Sequence, residues 1–291
     1  MAVTPRVAVC TNRRPEDVAE CLRALRPQVP AGELALVASG LAPAEVERHR
    51  AAFEGVVLAE PRAGLSRARN RALAWAGADD AVLAFVDDDA VAEDGWYGAL
   101  RQHWEDAPEE VACIGGPIRP RFAVPPPDWF SDDIAHVLTL LDRGAQVRDL
   151  DPEVEAVYGA NISFRTGPLR QAGGFDPGLG HATGRVFFGE EDAAERALAR
   201  LGHGVRYVPD AAVWHVIGPE RLTRGSFLRR RFAFGRALGA RGGRGRGVAG
   251  VRFLTTAAGA LAAAVRGDQK LAMVRAVRAA ENFGVLVARR S

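Results

Sequence analysis

The chain has 291 residues, of which 48% are hydrophobic and 25% charged, and its formal net charge at pH 7 is only +2. This ordinary globular composition allows a substantial core, and the balanced charge excludes a protein that coats nucleic acid with its whole surface. The three cysteines show no paired or Cys/His spacing, which argues against a disulfide framework or a structural zinc site and favours a reducing compartment.

Apolar runs alternate with helical patterns through the first 115 residues. Pro15 and the acids after it are typical of a helix start, because proline and carboxylates both suit the first turn. The strands predicted here are Val7–Cys10, Leu34–Val37, Val56–Leu58, Ala81–Val86 and Val111–Ile114, and the later helices are Pro43–Phe53, Ser66–Trp75 and Trp96–Trp104. Strands that alternate with helices predict a parallel, doubly wound α/β sheet.

The second half of the chain is predicted to be irregular at first and then helical. Its predicted elements are a helix at Ile134–Leu141, a glycine-interrupted strand at Val157–Phe164, a helix at Ala193–Leu201, a last strand from Val205 to His215, a basic helix at Ser226–Leu238 and Ala-rich helices at Phe253–Val265 and Leu271–Val287. We expect one domain over residues 1–240, a Gly/Arg-rich linker over 241–247 and a helical arm over 248–291.

The sequence favours a cytoplasmic protein. Its N-terminus lacks a signal-peptide pattern and leads directly into the first predicted strand. The uncharged run Phe253–Val265 is shorter than the ~20 residues that span a bilayer. Peripheral contact with the inner face of a membrane remains compatible with both observations.

Three adjacent carboxylates, Asp87 to Asp89, follow the apolar strand that ends at Val86. Burying them without a counterion would cost several kcal/mol or more, on the order of the penalty for isolated charges. They could lie in solvent as a turn or cap the following helix. The third interpretation is a divalent cation at the carboxyl end of a central strand, where carboxylates suit magnesium, manganese or calcium better than zinc.

Other polar features fall at the predicted ends of strands or starts of helices: Asn161, the acidic cluster Glu190 to Asp192, and His215. Each has a simpler explanation, since acids stabilise a helix start, a single histidine is usually a satisfied core residue, and a glycine in a strand can mark a bulge. Their joint occurrence with the Asp triplet in one α/β chain favours a functional site.

The polar residues described above belong to a series of seven short motifs along the chain. They are Thr11–Arg13, Gly64–Asn70, Phe85–Asp89, Gly159–Asn161, Gly173–Asp176, Gly189–Asp192 and Pro209–His215. With them the chain resembles the family-2 glycosyltransferases of the GT-A fold, from Val7 to about Gly235. The resemblance implies a Rossmann-like, mostly parallel sheet flanked by helices, to which this chain adds a C-terminal helical extension.

The resemblance also implies roles for individual residues. Asp87 and Asp89 match the D-x-D pair that holds a divalent metal, Mg²⁺ or Mn²⁺, and the ribose of the donor, and His215 matches a further contact to the metal or diphosphate. The acidic cluster matches the general base, for which we favour Asp192 and then Glu191. The remaining positions implied are Thr11, Asn12, Arg13, Ser39, Arg69 and Asp88 for the donor nucleotide, and Asn161 and Trp129 for the acceptor.

The chemistry of sugar transfer agrees with these roles. Breaking the anomeric bond leaves a nucleoside diphosphate, whose growing charge a metal ion and an arginine such as Arg231 would stabilise. A carboxylate opposite the leaving group would take the proton of the acceptor hydroxyl, and in-line attack would invert the anomeric carbon. The family usually has an Asp that reads the donor base where this chain has Ala38, next to Ser39, so a UDP-sugar donor is only the family default.

Several alternatives stay open. The missing Asp at Ala38 is compatible with a non-catalytic nucleotide-sugar-binding or accessory protein, and a sugar nucleotidylyltransferase is a less favoured enzyme. The nine arginines between Arg221 and Arg246 suit a local anion, whereas the balanced overall charge disfavours nucleic acid. The helical arm could lie on an anionic membrane, or pack on the catalytic domain or a second subunit, and its Ala-rich faces favour packing.

Overall fold

The computed structural model of the protein describes residues 3–77, 80–179, 181–182, 185–186, 189–240 and 246–288. They form two compact units. The first unit comprises residues 1–120, 141–183 and 189–216, and the second comprises 121–140, 184–188 and 217–291.

The helices and strands alternate over the first half of the chain, as predicted. The strands are β1 (Arg6–Thr11), β2 (Leu34–Ser39), β3 (Val56–Glu60), β4 (Val82–Val86), β5 (Ala90–Ala92), β6 (Val111–Gly115), β7 (Ile118–Phe122), β8 (Arg148–Leu150), β9 (Asn161–Arg165), β10 (His181–Ala182), β11 (Arg185–Val186), β12 (Gly204–Tyr207) and β13 (Val213–Ile217). The helices are α1 (Pro15–Leu25), α2 (Pro43–Ala52), α3 (Leu65–Ala76), α4 (Trp96–Asp106), α5 (Thr166–Gln171), α6 (Glu190–Arg200), α7 (Arg224–Ala240), α8 (Arg246–Val265) and α9 (Gln269–Val287).

The first unit is built on an eight-stranded sheet with the order β3-β2-β1-β4-β9-β6-β12-β8. Strands β3, β2, β1 and β4 are parallel, and β12 is parallel to β6. Strand β9 runs antiparallel to both β4 and β6, and β8 is antiparallel to β12. The mostly parallel α/β sheet is therefore confirmed, with β9 inserted in the opposite direction.

A smaller sheet, β5-β13-β7, follows the large one. The sequence predicts a single strand from Val205 to His215, and this prediction is wrong. Residues 208–212 leave the strand conformation, so that β12 joins the large sheet and β13 pairs with β5. In that pairing His215 lies opposite Ala90, directly after the Asp triplet.

The core of the first unit combines apolar strands with a cluster of aromatic rings. All five residues of β4 and all six of β2 are buried. Phe85, Phe164 and Phe175 meet edge to face, with ring centroids 5.5 to 6.4 Å apart. Burying a large apolar side chain contributes roughly 1.5–3 kcal/mol, so this core holds the carboxyl end of β4 in a fixed position.

The second unit is mainly a bundle of α7, α8 and α9. A Cβ on Gly235 would collide with the backbone carbonyl of Glu281, and one on Gly284 with that of Phe232, so these glycines allow α7 and α9 to approach closely. Because α7 packs on α9, the compact units do not follow the predicted boundary at residue 240. Most of the predicted linker, residues 241–245, lies outside the described residues, and 246–247 begin α8.

Helix α8 is longer than the uncharged run that the sequence analysis identified. It has 20 residues and begins seven residues before Phe253. Gly247–Val265 is long and apolar enough to cross a membrane by length and composition, and 11% of that stretch is buried. The expectation that the arm has no segment of spanning length is therefore wrong, because the run continues through Arg252.

Candidate active site

The Asp triplet lies at the carboxyl end of β4, beside the carboxyl end of β1. These strands are parallel neighbours, with Ala8 opposite Phe85, so the residues that follow them meet at one edge of the sheet. Thr11 Oγ1 donates a hydrogen bond of 2.6 Å to Asp88 Oδ2. Arg13 Nη2 donates one of 3.1 Å to Asp89 Oδ2, and its Nε lies 3.5 Å from Asp88 Oδ1.

His215 approaches the same triplet from β13. Its Nε2 lies 3.1 Å from Asp89 Oδ1, and the residue is 2% exposed. The antiparallel pairing of β13 with β5 produces this contact, since β5 begins at the residue after Asp89. The structure therefore brings together Asp89 and His215, which are 126 positions apart in the sequence.

Arg69 joins the triplet to the acidic start of α6. It projects from α3, is 1% exposed, and its guanidinium carbon lies 5.6 Å from the ring centroids of both Phe85 and Phe175. Its nitrogens lie 2.9 Å from Glu190 Oε1, 3.6 Å from Glu191 Oε2 and 3.7 Å from Asp87 Oδ1. A buried guanidinium needs such partners, because removing a charge from water costs several kcal/mol, on the order of its desolvation penalty.

Gly159 gives Arg69 its space. A Cβ at this position would collide with the guanidinium of Arg69. The backbone N–H of Gly159 also donates a 3.3 Å hydrogen bond to Glu191 Oε1. The glycine that interrupts the predicted strand at Val157–Phe164 therefore marks a close approach to a charged side chain, and β9 begins only at Asn161.

Burial changes the proton affinity of the site carboxyls. Removal of water raises the pKa of Asp87, an effect that Arg69 opposes and Asp89 reinforces. Burial also raises the pKa of Asp88 to about 6, although Arg13 and the Thr11 hydroxyl act in the other direction. These carboxyls are therefore harder to ionise than free aspartates, as expected where like charges share a cleft.

The two glutamates beside Arg69 differ. Burial raises the pKa of Glu190, and the neighbouring charge of Glu191 raises it further. Burial acts on Glu191 as well, but Arg69 and the backbone hydrogen bonds outweigh it, so the pKa of Glu191 is lowered. Glu190 therefore holds a proton more readily than Glu191, because two adjacent carboxylates in the interior repel each other.

The other two acids near the start of α6, Asp192 and Glu195, do not contact Arg69 in the same way and have different environments. Asp192 Oδ2 lies 3.6 Å from Arg196 Nη2, one turn later, and its side chain is 20% exposed. Glu195 is completely buried and accepts a 3.2 Å hydrogen bond from the backbone N–H of Val157 through Oε2. The sequence analysis named Glu190 only as a member of the acidic cluster, without a role of its own, and it missed Glu195. The i, i+4 spacing of Glu191 and Glu195 is the one signal that could have indicated a shared helix face.

The sequence that contains much of this site matches a known protein family. Residues 7–173 match the sequence profile described as Glycosyl transferase family 2. The chain belongs to this family. The match covers more than half of the chain, contains the first four of the seven motifs and confirms the resemblance to this family.

A curated relative of this chain is also a glycosyltransferase. The chain is 31% identical over 153 residues to the glucosyl-dolichyl phosphate glucuronosyltransferase of Haloferax volcanii, and the match covers 52% of this chain and 47% of that protein. The chain thus spans about half the length of this relative.

The solved structures show the fold alone, because their sequence identities are low. GalNAc-T7 with UDP, GalNAc and Mn²⁺ has a TM-score of 0.55 at 14% identity, covering 81% of this chain and 48% of that chain. TarS 1-349 of S. aureus in complex with UDP has a TM-score of 0.52 at 16% identity, covering 97% of this chain and 89% of that chain.

Some of the residues implied by the family-2 resemblance make contacts within the protein, and their roles toward the substrates stay predictions. Asn161 is buried, accepts from Trp96 Nε1 at 3.0 Å, and donates to the carbonyls of Pro117 and Ala211 at 3.0 and 2.7 Å. Its amide thus links β9 to the side chain of Trp96 and to two backbone carbonyls. Ser39 Oγ lies 3.4 Å from the carbonyl of Arg62, and Asn12 is exposed after β1.

Two further predicted residues lie in the second unit. Arg231 is ion-paired with Glu281, and its guanidinium carbon lies 4.4 Å from the ring centroid of Phe234. Trp129 packs edge to face on Phe227, with centroids 5.1 Å apart. Their roles toward donor and acceptor stay predictions.

The residues that the family resemblance implies as metal ligands have suitable functional groups for a divalent cation, but their side chains are not arranged around a common point. Asp87 and Asp89 supply carboxylates and His215 an imidazole, and carboxylates suit Mg²⁺ or Mn²⁺. Asp89 is bonded to both Arg13 and His215, however. Within the described parts of the chain, no group of three or more His, Cys, Asp or Glu side chains is arranged to hold a metal ion. Arg13 would have to release Asp89 for a cation to bind.

Proposed function

We propose that this chain is an inverting glycosyltransferase that moves a sugar from a nucleotide-diphosphate sugar to a hydroxyl group of an acceptor. The observation that carries the proposal is the buried Arg69 network, which joins Asp87 on the donor side to Glu190 and Glu191 at the start of α6. Membership of family 2 supports the same reaction. The acceptor is a glycan, a lipid-linked molecule or a small molecule.

We assign the donor nucleotide to the edge of the sheet formed by β1, β4 and α3. Thr11, Arg13 and Asp88 form one hydrogen-bonded group there. UDP is the donor nucleotide by family default, in line with the two solved structures of similar fold, which are complexes with UDP. The further residues assigned to the donor are Asn12, Ser39, Arg69, Asp87 and Arg231.

We assign a divalent cation, Mg²⁺ or Mn²⁺, to Asp87, Asp89 and His215. When bound, it would supply positive charge to the departing diphosphate. Arg13 now neutralises Asp89, as a cation would. On the other side of the sugar, Asp192 takes the proton of the acceptor hydroxyl, with Glu191 as the alternative.

The test is a donor-hydrolysis screen over nucleotide sugars with Mn²⁺ and with Mg²⁺, in which released nucleoside diphosphate is measured. Asp89→Asn should abolish hydrolysis and weaken Mn²⁺ binding in calorimetry, because an amide is a poorer ligand than a carboxylate. Asp94→Asn, at an exposed position nearby, is the matched control and should behave as the wild type. Full activity in excess EDTA would exclude the metal.

One observation favours the non-catalytic alternative. Ala38 is buried in β2 where the family's base-reading Asp is expected, so this position offers no carboxylate to a donor base. Such a protein would bind nucleotide sugar without releasing diphosphate in the same screen.

We also propose a cytoplasmic location, because all three cysteines are free. The partner of the helical arm is then a membrane or a second copy of the chain.

A further inference from the structure

The outer face of α8 is apolar and exposed. Its large side chains Val248, Val251, Leu254, Leu261 and Val265 are each between 54% and 81% exposed. Their spacings of three, four and seven residues place them on one side of the helix. Arg252 is the one charged residue between Gly247 and Val265. An ordinary surface helix turns its polar side outward, so α8 has the opposite pattern.

The other face of α8 is fixed by α9. Ala249 and Ala263 are fully buried, and the rings of Phe253 and Phe283 lie with centroids 5.2 Å apart. Arg275 Nη1 on α9 donates a 2.9 Å hydrogen bond to the carbonyl of Gly259. Small residues on this inner face allow close helix packing, and the large apolar residues are left on the outside.

The C-terminal part of the chain, which forms most of the second unit, has a large excess of positive charge. Residues 217–291 contain 16 Lys and Arg and three Asp and Glu, a formal net charge of +13, whereas residues 1–216 contain 22 and 33, a net charge of −11. Arg229 and Arg236 on α7, and Arg266 directly after α8, are exposed. A basic region with an exposed apolar helix complements a surface that is both anionic and apolar.

We infer that the outer face of α8 docks on an anionic phospholipid bilayer and lies along its surface. The apolar side chains enter the boundary between headgroups and acyl chains, and the arginines contact the headgroups. A spanning position is disfavoured, because α9 would carry Arg275, Arg278 and Glu281 into the hydrocarbon with α8.

A second copy of the chain fits this face less well. Joining two outer faces would bring two regions of charge +13 together. The exposed large apolar residues described in the first 216 residues, Val124, Val147, Val154, Leu201 and Trp214, occur singly along the chain and form no matching helical face. The inference concerns the second unit and does not depend on the transfer reaction.

The test is flotation of the full-length protein with vesicles of phosphatidylcholine, with and without phosphatidylglycerol. We expect binding to the anionic vesicles at low salt that weakens as salt is added, and little binding to neutral vesicles. The double variant Leu254→Ser and Leu261→Ser should lose at least about tenfold in vesicle affinity, because two large side chains no longer enter the boundary. Circular dichroism and the melting temperature should not change.

The matched control is the double variant Val154→Ser and Leu201→Ser, which removes two exposed apolar side chains from the first unit. It should bind vesicles as the wild type does. Absence of binding at low salt would overturn the inference, as would equal binding to neutral vesicles or equal losses in both double variants. It would also be overturned if the α8 variant changed only a concentration-dependent mass in sedimentation, since the occupant would then be a second copy.

Discussion

The guanidinium of Arg69 lies between 2.9 and 3.7 Å from three carboxylates in the interior of the first unit. Replacing it by leucine would leave the buried Glu190 and the partly buried Glu191 without their counterion. We therefore expect Arg69→Leu to lower the free energy of unfolding by about 3–5 kcal/mol, measured by urea denaturation. Arg71→Leu, at an exposed position of the same helix, should change it by less than about 0.5 kcal/mol. Equal stabilities of the two variants would contradict this account.

Glu195 gives a pH-dependent prediction. Among the described residues its Oε1 has no hydrogen-bond partner, and burial, with smaller contributions from Asp192 and Glu191, raises the pKa of this carboxyl well above its usual value. A raised pKa means that the folded protein holds the proton more tightly than the unfolded chain. The stability from this group is thus complete at low pH and is lost as pH rises through the folded pKa.

Glu195→Gln should remove that dependence, because glutamine imitates the protonated acid and can still accept the hydrogen bond from Val157. We expect the variant to gain stability relative to the wild type as pH rises, measured as unfolding free energies from urea titrations across the pH range. Glu109→Gln, at an exposed position, should show no such trend. A difference that stays constant with pH would mean that Glu195 does not change its protonation on unfolding.

The identity of the base is a question of single residues as well. Asp192→Asn should lower kcat by about 10²–10⁴-fold with little change in donor affinity, because the base acts on the acceptor only in the transition state. Glu191→Gln is the comparison, since Glu191 is held by Arg69 and by the N–H of Gly159. If Glu191→Gln is the inactive variant and Asp192→Asn is nearly normal, the assignment is displaced by one residue.

The sequence motifs predicted which residues cluster at the site, but they did not predict which side chains contact one another. Asp87 to Asp89, Arg69 and His215 were all predicted, and the structure places them in one cluster. The raised pKa of Glu190 follows from its burial, and Glu195 accepts a hydrogen bond from Val157, which is distant in the sequence. A local pattern contains no information about such long-range contacts.

At the scale of the elements, the position of strand β9 is fixed in part by the side-chain amide of its first residue, Asn161. Asn161 joins this strand to Trp96 in α4 and to the carbonyls of Pro117 and Ala211. Asn161→Ala would leave the indole N–H of Trp96 and the carbonyl of Ala211 buried without this partner, whereas the carbonyl of Pro117 keeps the N–H of Val213. We therefore expect a loss of roughly 2–5 kcal/mol in unfolding free energy, given about 1–3 kcal/mol for each group. If stability is unchanged and only the KM for the acceptor rises, Asn161 has the acceptor role that the family resemblance implies.

Element types were predictable where the apolar pattern was strong, as in β1, β2 and β4. The antiparallel direction of β9 was not, because a buried strand has the same apolar pattern in either direction. The start of α8 was missed for a different reason. The glycines and arginines before Phe253 have the composition of a linker, whereas packing on α9 provides the stability that local propensity does not.

For the whole molecule, the packing of α9 inside the second unit limits what a truncation experiment can test. Met273, Val274, Val277 and Val285 of α9 are buried, and α9 packs on α7. Removing the chain after Gly247 would expose the apolar face of α7 that α9 covers. Point substitutions on the outer face of α8 therefore separate membrane binding from folding, whereas deletion of the arm would combine them. The sequence alone could not reveal that α9 packs on α7. Its Ala-rich helices predict close packing but do not indicate which element they pack on.

Ligand binding should stabilise the first unit, since Thr11, Arg13, Asp87 to Asp89 and His215 all belong to it. A ligand that binds only the folded state raises the unfolding free energy by about 2.7 kcal/mol at a concentration of 100 times its Kd. We expect UDP with Mn²⁺ to raise the melting temperature of the wild type in calorimetry, and Asp89→Asn to remove most of the shift. Asp94→Asn should retain the full shift. A shift that persists in EDTA would mean that UDP binds without the metal, and no shift at saturating UDP would exclude this edge of the sheet as its binding site.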